Sequence, residues 1–396
     1  MSDSARQGNR STWALAAIGA LVTLAGLVAA HVMEDRGHVV TGMNNQIVWG
    51  MPHVFAIYMI VAASGVLNVA SIGSVFGRTE YKPHAPLSGL LCLALLAGGL
   101  FVLMLDLGRP ERLVVAATHY NLTSVFAWNV FLYSGMTAIV AVYLWTLMER
   151  RMGAYSKAAG VAAFVWRLVL TTGTGTIFAF LVARQAYGSA LLPPLFIVLS
   201  FAWGLAAFLL AQAGFAAWSA RPLPVDALHR MRRLLAVLVA AALYFGLIHH
   251  FVNAYFAKQQ AFERFLLVDG GVYPVLFWGG FVVAGGLVPL ALLWYPRLAD
   301  ARATRIASLL VTAGAFAWLY VFILGGQAFP LDIFPGYAVS SSFGDGQVQA
   351  YAPSLPEIVL GVGGLGVAFL IAVVGVGALP FLPDADVAAA AKGGAG

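Results

Sequence analysis

Ten apolar runs, each about twenty residues long, are the feature that most limits how this chain folds. A helix needs about 20 apolar residues to cross the hydrocarbon core of a bilayer, where its backbone polar groups must be paired within the segment. Of the 396 residues, 61% are hydrophobic and only 10% are charged. The charged share is well below that expected of a soluble domain. The chain is therefore predicted to be an all-α integral membrane protein. Its net charge of +6 does not indicate a nucleic-acid partner in a chain whose surroundings are the lipid bilayer.

The predicted spans place both chain ends on the same side of the membrane, because their number is even. Lys and Arg are concentrated in the N-terminal tail, the even-numbered loops and the C-terminal tail, and such residues favour the cytoplasmic side. We therefore expect a multi-pass membrane protein with both termini cytoplasmic. The loop after the third span would then be periplasmic. The predicted spans are 13–33, 53–74, 86–105, 125–148, 159–183, 191–213, 234–251, 273–295, 306–326 and 357–381.

Similarity between distant spans indicates an internal repeat. Spans 4 and 8 align Trp128 with Trp278, and the ends of spans 5 and 9 align Gln185 with Gln327. Four crossings return the chain to the same side, so two four-helix units would be parallel. The alternative is that any two spans rich in Leu, Ala and Gly look alike. The expected parts are 1–48 (N-terminal tail, first span and periplasmic loop), 49–189 (first four-helix unit), 190–330 (second four-helix unit) and 331–396 (periplasmic loop, last span and C-terminal tail).

The segment LMLDLGRPERL, residues 103–113, places several charged side chains directly after the third span. Polar stretches also open span 2 (WGMPH, 49–53) and span 4 (HYNLTS, 119–124), and Arg184 lies near the end of span 5. If spans 2 to 5 form one bundle, these span ends lie together at the same end of the bundle. A quinone headgroup needs a hydrogen-bond donor and an acceptor beside an apolar bundle, and His, Tyr, Asn, Asp and Arg supply both.

Each of these residues also has a purely structural explanation. Asp106 and Arg109 would form a salt bridge that fixes the loop after a helix stop. His53 would be an interfacial residue at a helix start, and Tyr120 would be an aromatic anchor at the membrane surface. From the residues alone, these alternatives stay open.

Prosthetic groups are not expected in this chain. Cys92 is the single cysteine, which excludes an iron–sulfur cluster and a thiolate metal site. Bis-histidine haem needs imidazoles at depth on facing helices, but the histidines on the predicted cytoplasmic side, His84 and His229, lie in loops. His249 and His250 are adjacent and would point to different faces of span 7. A second site at one of them is an open alternative.

Four segments, WGMPHVFAIYMIVAASG, LDLGRPERL, THYNLTSVFAWNVFLY and LVARQAYG, resemble the NrfD/PsrC-type membrane subunits of bacterial respiratory complexes. The similarity covers most of residues 49–330, and the finer resemblance is to the DsrP members found in sulfur-metabolism Dsr complexes. The resemblance implies a subunit of the bacterial inner membrane that has no prosthetic group and no complete activity alone. It would bind menaquinone or ubiquinone near the periplasmic face and exchange electrons with a ferredoxin-like iron–sulfur subunit. Further catalytic subunits, of the Dsr type or the molybdenum-enzyme type, would complete the complex.

The resemblance also implies a quinone-site group in the first unit: His53, Asp106, Arg109, His119, Tyr120 and Arg184. His53 would bond the headgroup and exchange its proton, with Asp106 as the acid–base companion; these two are the catalytic candidates. Tyr120 would bond the other quinone oxygen, and the two arginines would hold Asp106 and the partner's surface. The second unit lacks an LGRP segment and an arginine matching Arg184, so one working quinone site is expected.

Other functions stay open. A transporter of a small anion or sulfur compound would fit the repeat, but it needs discontinuous helices at a midplane site; LGVGGLGVAF in span 10 is the one candidate. A structural anchor with a lost quinone site is another alternative. Coupled proton movement is also open: polar residues around Arg167 would line a wet path or act as contacts between helices. Arg167 itself would snorkel toward the membrane surface.

Overall fold

A computed structural model describes residues 3–383 except 220–223, 296–299, 332–336, 338–340, 343 and 345. Within this part of the chain, ten helices are long and apolar enough to cross a membrane, and no strand is present. The predicted all-α membrane fold is confirmed. Spans 1 to 10 are Ser11–Arg36, Met51–Ser74, Thr79–Leu105, Val125–Met148, Arg150–Ala179, Leu192–Ser219, Val225–Tyr255, Val272–Trp294, Ala301–Ala328 and Leu355–Ala378. The predicted C-terminal tail, residues 384–396, lies outside the described residues.

Span 2 forms the centre of the molecule and is almost completely buried, whereas most of span 1 faces outward. Span 2 packs against span 3, span 4 packs against spans 3 and 5, and together they form a first bundle. Spans 6 to 9 contact one another in a second bundle. Span 10 lies against spans 2 and 3 and carries span 1 on its outer side. This arrangement is compatible with two repeated units, and both the repeat and the domain boundaries stay predictions.

Glycines let helices of the two bundles approach backbone to backbone. Gly65 of span 2 lies so close to Ser200 and Gly204 of span 6 that a Cβ on it would collide with the Ser200 backbone. Gly285 and Gly314 make the same kind of contact between spans 8 and 9. Close backbones gain van der Waals contact, which is a main source of attraction between helices in lipid. The crossing at Gly65 therefore joins the two bundles at the centre of the molecule.

Polar side chains inside the first bundle bond to one another. Arg167 donates from Nη1 to Asn68 Oδ1 at 2.7 Å and to the Ser64 carbonyl at 3.2 Å, and Thr171 donates to Ser64 Oγ at 2.6 Å. The Arg167 guanidinium also lies 5.0 Å and 4.9 Å from the centroids of two phenylalanine rings. Arg167 is only 2% exposed, so the prediction that it snorkels outward is wrong. Polar atoms and ring faces within the bundle hold its charge, which favours contacts between helices as the role of these residues.

Several helix ends differ from the predicted ones. Span 5 ends at Ala179, earlier than predicted, because turns closed by the N–H groups of Arg184 and Tyr187 follow it. Arg184 therefore belongs to a loop. Spans 8 and 9 contain the wider π-helical segments Val275–Leu287 and Tyr320–Gly325. Span 10 is one continuous helix, so its glycine-rich segment makes no break of the kind that a transporter site needs.

We predict that Gly65→Ala destabilises the protein by about 1–3 kcal/mol, the usual cost of overpacking a tight contact. The added Cβ would meet backbone atoms of span 6, which have little room to move. Denaturant-induced unfolding of the purified chain measures this change. Gly214→Ala is the matched control, because a Cβ there meets nothing within 4 Å. Equal stability of the two variants would show that the close crossing of spans 2 and 6 is not formed.

Candidate functional site

His53 lies in the first turn of span 2, at the end of the bundle away from the chain's N-terminus. Pro52 precedes it at a first-turn position, where the missing N–H of proline costs no helical hydrogen bond. His53 Nδ1 lies 2.8 Å from Asp106 Oδ2, and the two side chains are 15% and 1% exposed. The distance is that of an ion pair, although the atoms lack the directional geometry of a hydrogen bond. The structure thus brings together the two residues predicted to be catalytic.

Asp106 ends the helix of span 3, where its N–H still bonds to the Val102 carbonyl at 3.0 Å. Gly108, with φ near +71°, then turns the chain away in a conformation that favours glycine. The Asp106 side chain is buried, and neither carboxylate oxygen has a hydrogen-bond partner among the described residues. A buried carboxylate without hydrogen bonds is costly, so a ligand that donates one would stabilise this site.

Aromatic rings pack in sequence against one side of His53. The Trp49 ring stacks on the His53 ring with centroids 5.8 Å apart and planes 26° apart. Phe178 of span 5 packs edge-on against Trp49 at 5.6 Å. Such faces suit a flat, apolar ring with polar substituents, which is the shape of a quinone headgroup.

Gln327 of span 9 holds the non-helical segment that leads into span 2. Its Oε1 accepts from the N–H groups of Val48 and Trp49, each at 3.0 Å, and its Nε2 donates to the Trp49 carbonyl at 2.9 Å. Gln46 Nε2 in turn donates to the carbonyls of Gln327 and Ala328, both at 2.9 Å. Gln327 is completely buried. The second bundle therefore fixes the position of a ring that stacks on the catalytic candidate.

Glu357 of span 10 holds the same segment from another side. Its fully buried carboxylate accepts from the N–H groups of Gly42 at 2.9 Å and Ser354 at 2.7 Å, and from the Tyr351 hydroxyl at 2.7 Å. The Tyr351 oxygen accepts from the Met51 N–H at 2.6 Å. Burial raises the pKa of Tyr351, and the bond to the carboxylate raises it further, so the phenol stays protonated and continues to donate. Span 10 thus helps to fix the start of span 2.

Arg184 bonds to the same segment rather than to Asp106. Its Nη2 donates to the Gln46 carbonyl at 2.7 Å, and its Nη1 donates to the Gln327 carbonyl at 3.2 Å. Partial burial lowers the pKa of the Arg184 guanidinium. Arg184 therefore links the loop after span 5 to the segment before span 2, and the contact with Asp106 that the resemblance implies is not formed.

The other predicted site residues lie on the surface. Arg109, His119 and Tyr120 are exposed. His119 Nδ1 lies 2.9 Å from the Thr118 hydroxyl, and the Tyr120 ring packs edge-on against Phe131 at 4.7 Å. Within the described part of the chain, none of the three bonds to His53 or Asp106. The contact of Tyr120 fits the explanation as an aromatic anchor, and a quinone-site role for these three residues stays a prediction.

Four residues of this region carry no site prediction from the sequence: Trp49, Gln327, Tyr351 and Glu357. The alignment of Gln327 with Gln185 in the repeat is a signal for the first bundle's dependence on span 9. Ser354 and Glu357 have the spacing of a capping box, which indicates a helix start and says nothing about a bond to a segment some three hundred residues earlier.

A second polar cluster lies at the end of span 7. His250 Nδ1 lies 2.8 Å from Glu263 Oε2, and Asn253 Nδ2 donates to Glu263 Oε1 at 3.0 Å. His249 joins the cluster through Asn253 at 3.4 Å, so both histidines face it although adjacent positions predict different faces. Both oxygens of Glu263 take part in hydrogen bonds, whereas neither oxygen of Asp106 has one with a described residue. This favours a structural role, in which the cluster ties the short helix Ala257–Arg264 to span 7.

The fold and the site together define a multi-pass membrane protein with a buried acid–base pair near one membrane face. A family model described as polysulphide reductase, NrfD, matches residues 39–331. The chain belongs to this family.

Curated relatives extend over nearly the same length. An Hdr-like menaquinol oxidoreductase integral membrane subunit from Archaeoglobus fulgidus is 30% identical, over 94% of each protein. A putative membrane subunit of a dimethyl sulfoxide reductase from Halobacterium salinarum is 27% identical, over 95% of this chain and 93% of the relative. One of the chains of the polysulfide reductase from Wolinella succinogenes is 25% identical, over 72% of this chain and 96% of the relative.

We predict that Gln327→Ala loosens the segment before span 2. The N–H groups of Val48 and Trp49 would lose their acceptor, and two lost hydrogen bonds cost about 1–3 kcal/mol together. Hydrogen exchange of peptides that cover residues 46–49 is then expected to be roughly tenfold faster or more. Gln185→Ala, at the aligned position in the repeat, is the matched control and leaves this exchange unchanged. Identical exchange in both variants would contradict the account of Gln327.

Proposed function

We propose that this chain is the quinone-reactive membrane subunit of an oxidoreductase complex. The observation that carries the proposal is the His53–Asp106 pair, in which a buried carboxylate without hydrogen bonds lies 2.8 Å from a histidine. The names of the relatives, which include a menaquinol oxidoreductase subunit and a polysulfide reductase chain, support a menaquinone-type substrate. A ubiquinone has the same chemistry at its two headgroup oxygens, so the proposal includes ubiquinone as a substrate.

The pair has the features that a quinol headgroup requires. A quinol that is oxidised releases two electrons, which the proposed iron–sulfur partner accepts, and two protons, which leave one after the other through His53. Asp106 lies at His53 Nδ1 and favours the tautomer with the proton on that atom, which leaves Nε2 to accept a proton from a quinol hydroxyl. The carboxylate then stabilises the positive charge of the imidazolium. His53 is the more exposed of the two, so it also provides the way for the proton to leave.

The rest of the pocket binds and orients the headgroup. The Trp49 ring is held parallel to His53 by the bonds that Gln327 makes to the Trp49 backbone. The apolar helices of the bundle suit an isoprenoid tail and exclude water from the reacting atoms. In this proposal Tyr120 and Arg109 meet the quinone or the partner subunit only once the complex is assembled, because both are exposed here.

An iron–sulfur partner subunit is proposed to dock on the loop between spans 3 and 4. Arg109, Glu111 and Arg112 are exposed there, and the exposed apolar residues Val114 and Val115 lie beside them. Charged and apolar groups exposed together outside a helix bundle are typical of a protein interface. The relatives are named as parts of reductases, which supports a complex with further catalytic subunits. Because this loop is proposed to be periplasmic, the protons of the quinol are proposed to be released on the periplasmic side.

The transporter alternative has less support. Its candidate segment in span 10 is a continuous helix, whereas a midplane transport site is built on broken helices.

We predict that His53→Ala and Asp106→Asn each lower the rate of quinol oxidation by the purified complex by about a hundredfold, within the usual range for loss of a general acid or base. The measurement is quinol-dependent reduction of an artificial acceptor, with co-purifying subunits quantified to show that assembly is intact. His31→Ala, an exposed histidine near the same membrane face, serves as the control. Unchanged rates in both site variants would show that the pair is not the quinone site.

We predict that the site faces the periplasm. In a Cys92→Ala background, Val39→Cys and Tyr155→Cys place single exposed thiols at opposite ends of the bundle. A membrane-impermeant maleimide is expected to label position 39 once the outer membrane is opened, and to label position 155 only after the inner membrane is broken. The reverse pattern would place the site on the cytoplasmic side.

A further inference from the structure

A pocket of about 300 Å³ lies between spans 6, 7 and 9, at the end of the bundle opposite to His53. Gln212, Thr304 and Arg305 supply its polar lining, and Ala213 and Ala216 of span 6 are among the small residues that leave it open. The volume is at the lower end of the range for small-molecule sites. The acid–base pair plays no part in this pocket.

The Gln212 amide is the first sign of a ligand. Its side chain is only 4% exposed, and its Oε1 is buried without a hydrogen-bond partner among the described residues. An unpaired buried polar atom costs about 1–3 kcal/mol. A ligand with a hydroxyl group would satisfy this oxygen and offset that cost.

Arg305 is the second sign. Arg305 lines the pocket from its exposed rim, and its Nε donates to the Ala301 carbonyl at 3.3 Å. The guanidinium forms no ion pair with a described residue. The neighbouring Thr304 hydroxyl is already committed to the Asp300 carbonyl at 2.9 Å. The free polar groups of the pocket are therefore one cation and one amide, which together suit an anion that also carries a hydroxyl.

An adjoining cavity distinguishes a lipid from a free anion. A space of about 750 Å³ lies between spans 1, 3, 6 and 10, and Ala217 lines both it and the smaller pocket. Leu95, Phe215 and Phe369 are among its almost entirely apolar lining. A charged pocket beside a larger apolar cavity matches a headgroup followed by an acyl chain, and basic pockets between membrane helices are known to take anionic lipid headgroups.

We propose that this pocket binds an anionic phospholipid whose headgroup carries a hydroxyl, as phosphatidylglycerol does. Arg305 binds the phosphate, the headgroup hydroxyl donates to Gln212 Oε1, and an acyl chain enters the adjoining cavity. The lipid would join span 6 to span 9 within the second bundle. This role is independent of quinone chemistry at His53.

Native mass spectrometry of the delipidated full-length chain in detergent tests the proposal. Phosphatidylglycerol, phosphatidylcholine and inorganic phosphate are titrated separately. We expect one phosphatidylglycerol to bind in preference to phosphatidylcholine, with the affinity lowered about five- to tenfold by Arg305→Gln, as loss of one cation near the headgroup implies. Gln212→Leu is expected to lower the affinity as well, since it removes the acceptor of the hydroxyl.

Arg302→Gln is the matched control, because Arg302 is exposed on the same span and does not line the pocket. Its affinity for phosphatidylglycerol should equal that of the unchanged protein. Equal loss in the Arg302 and Arg305 variants, or equal binding of phosphatidylcholine, would overturn the proposal. Displacement of the lipid by millimolar inorganic phosphate would also overturn it, because the pocket would then bind a free anion.

Discussion

Hydrogen bonds to a non-helical segment at the membrane face determine whether the candidate site exists. Residues 42–50 form no spanning helix, so the N–H and C=O groups of this segment need hydrogen-bond partners other than those of a regular helix. Gln327 and Glu357 satisfy these groups, with Gln46 and Arg184 adding bonds between the same parts of the molecule. Without such partners, the segment that carries Trp49 into span 2 would have no defined conformation beside His53.

This constraint makes the site depend on the whole molecule. His53 and Asp106 belong to spans 2 and 3, but the residues that hold the preceding segment come from spans 9 and 10. The close crossing at Gly65 brings the second bundle near enough for Gln327 to reach that segment. The second bundle thus has a function in this arrangement, because it positions the first.

The sequence predicts the fold well because a membrane span is a local property. Apolar length decides each helix, and the predicted span 125–148 agrees with the observed Val125–Met148. The pairing of His53 with Asp106 follows from two helix ends that meet at one face. The sequence does not predict the contacts of Gln327 and Glu357, because these contacts join residues far apart in sequence and depend on side-chain rotamers. The sequence does not predict the buried position of Arg167 for a related reason, because its partner Asn68 lies on another span.

The central claim is that a quinone headgroup binds at His53, whose other ring nitrogen lies 2.8 Å from Asp106. Photoaffinity labelling of the purified complex with an azido-menaquinone, followed by peptide mapping, tests it most directly. The account predicts labelled peptides that contain residues 49–53 or 103–113, with labelling suppressed by excess unmodified quinone and reduced in Asp106→Asn. Labelling confined to other spans, or unaffected by either change, would contradict it.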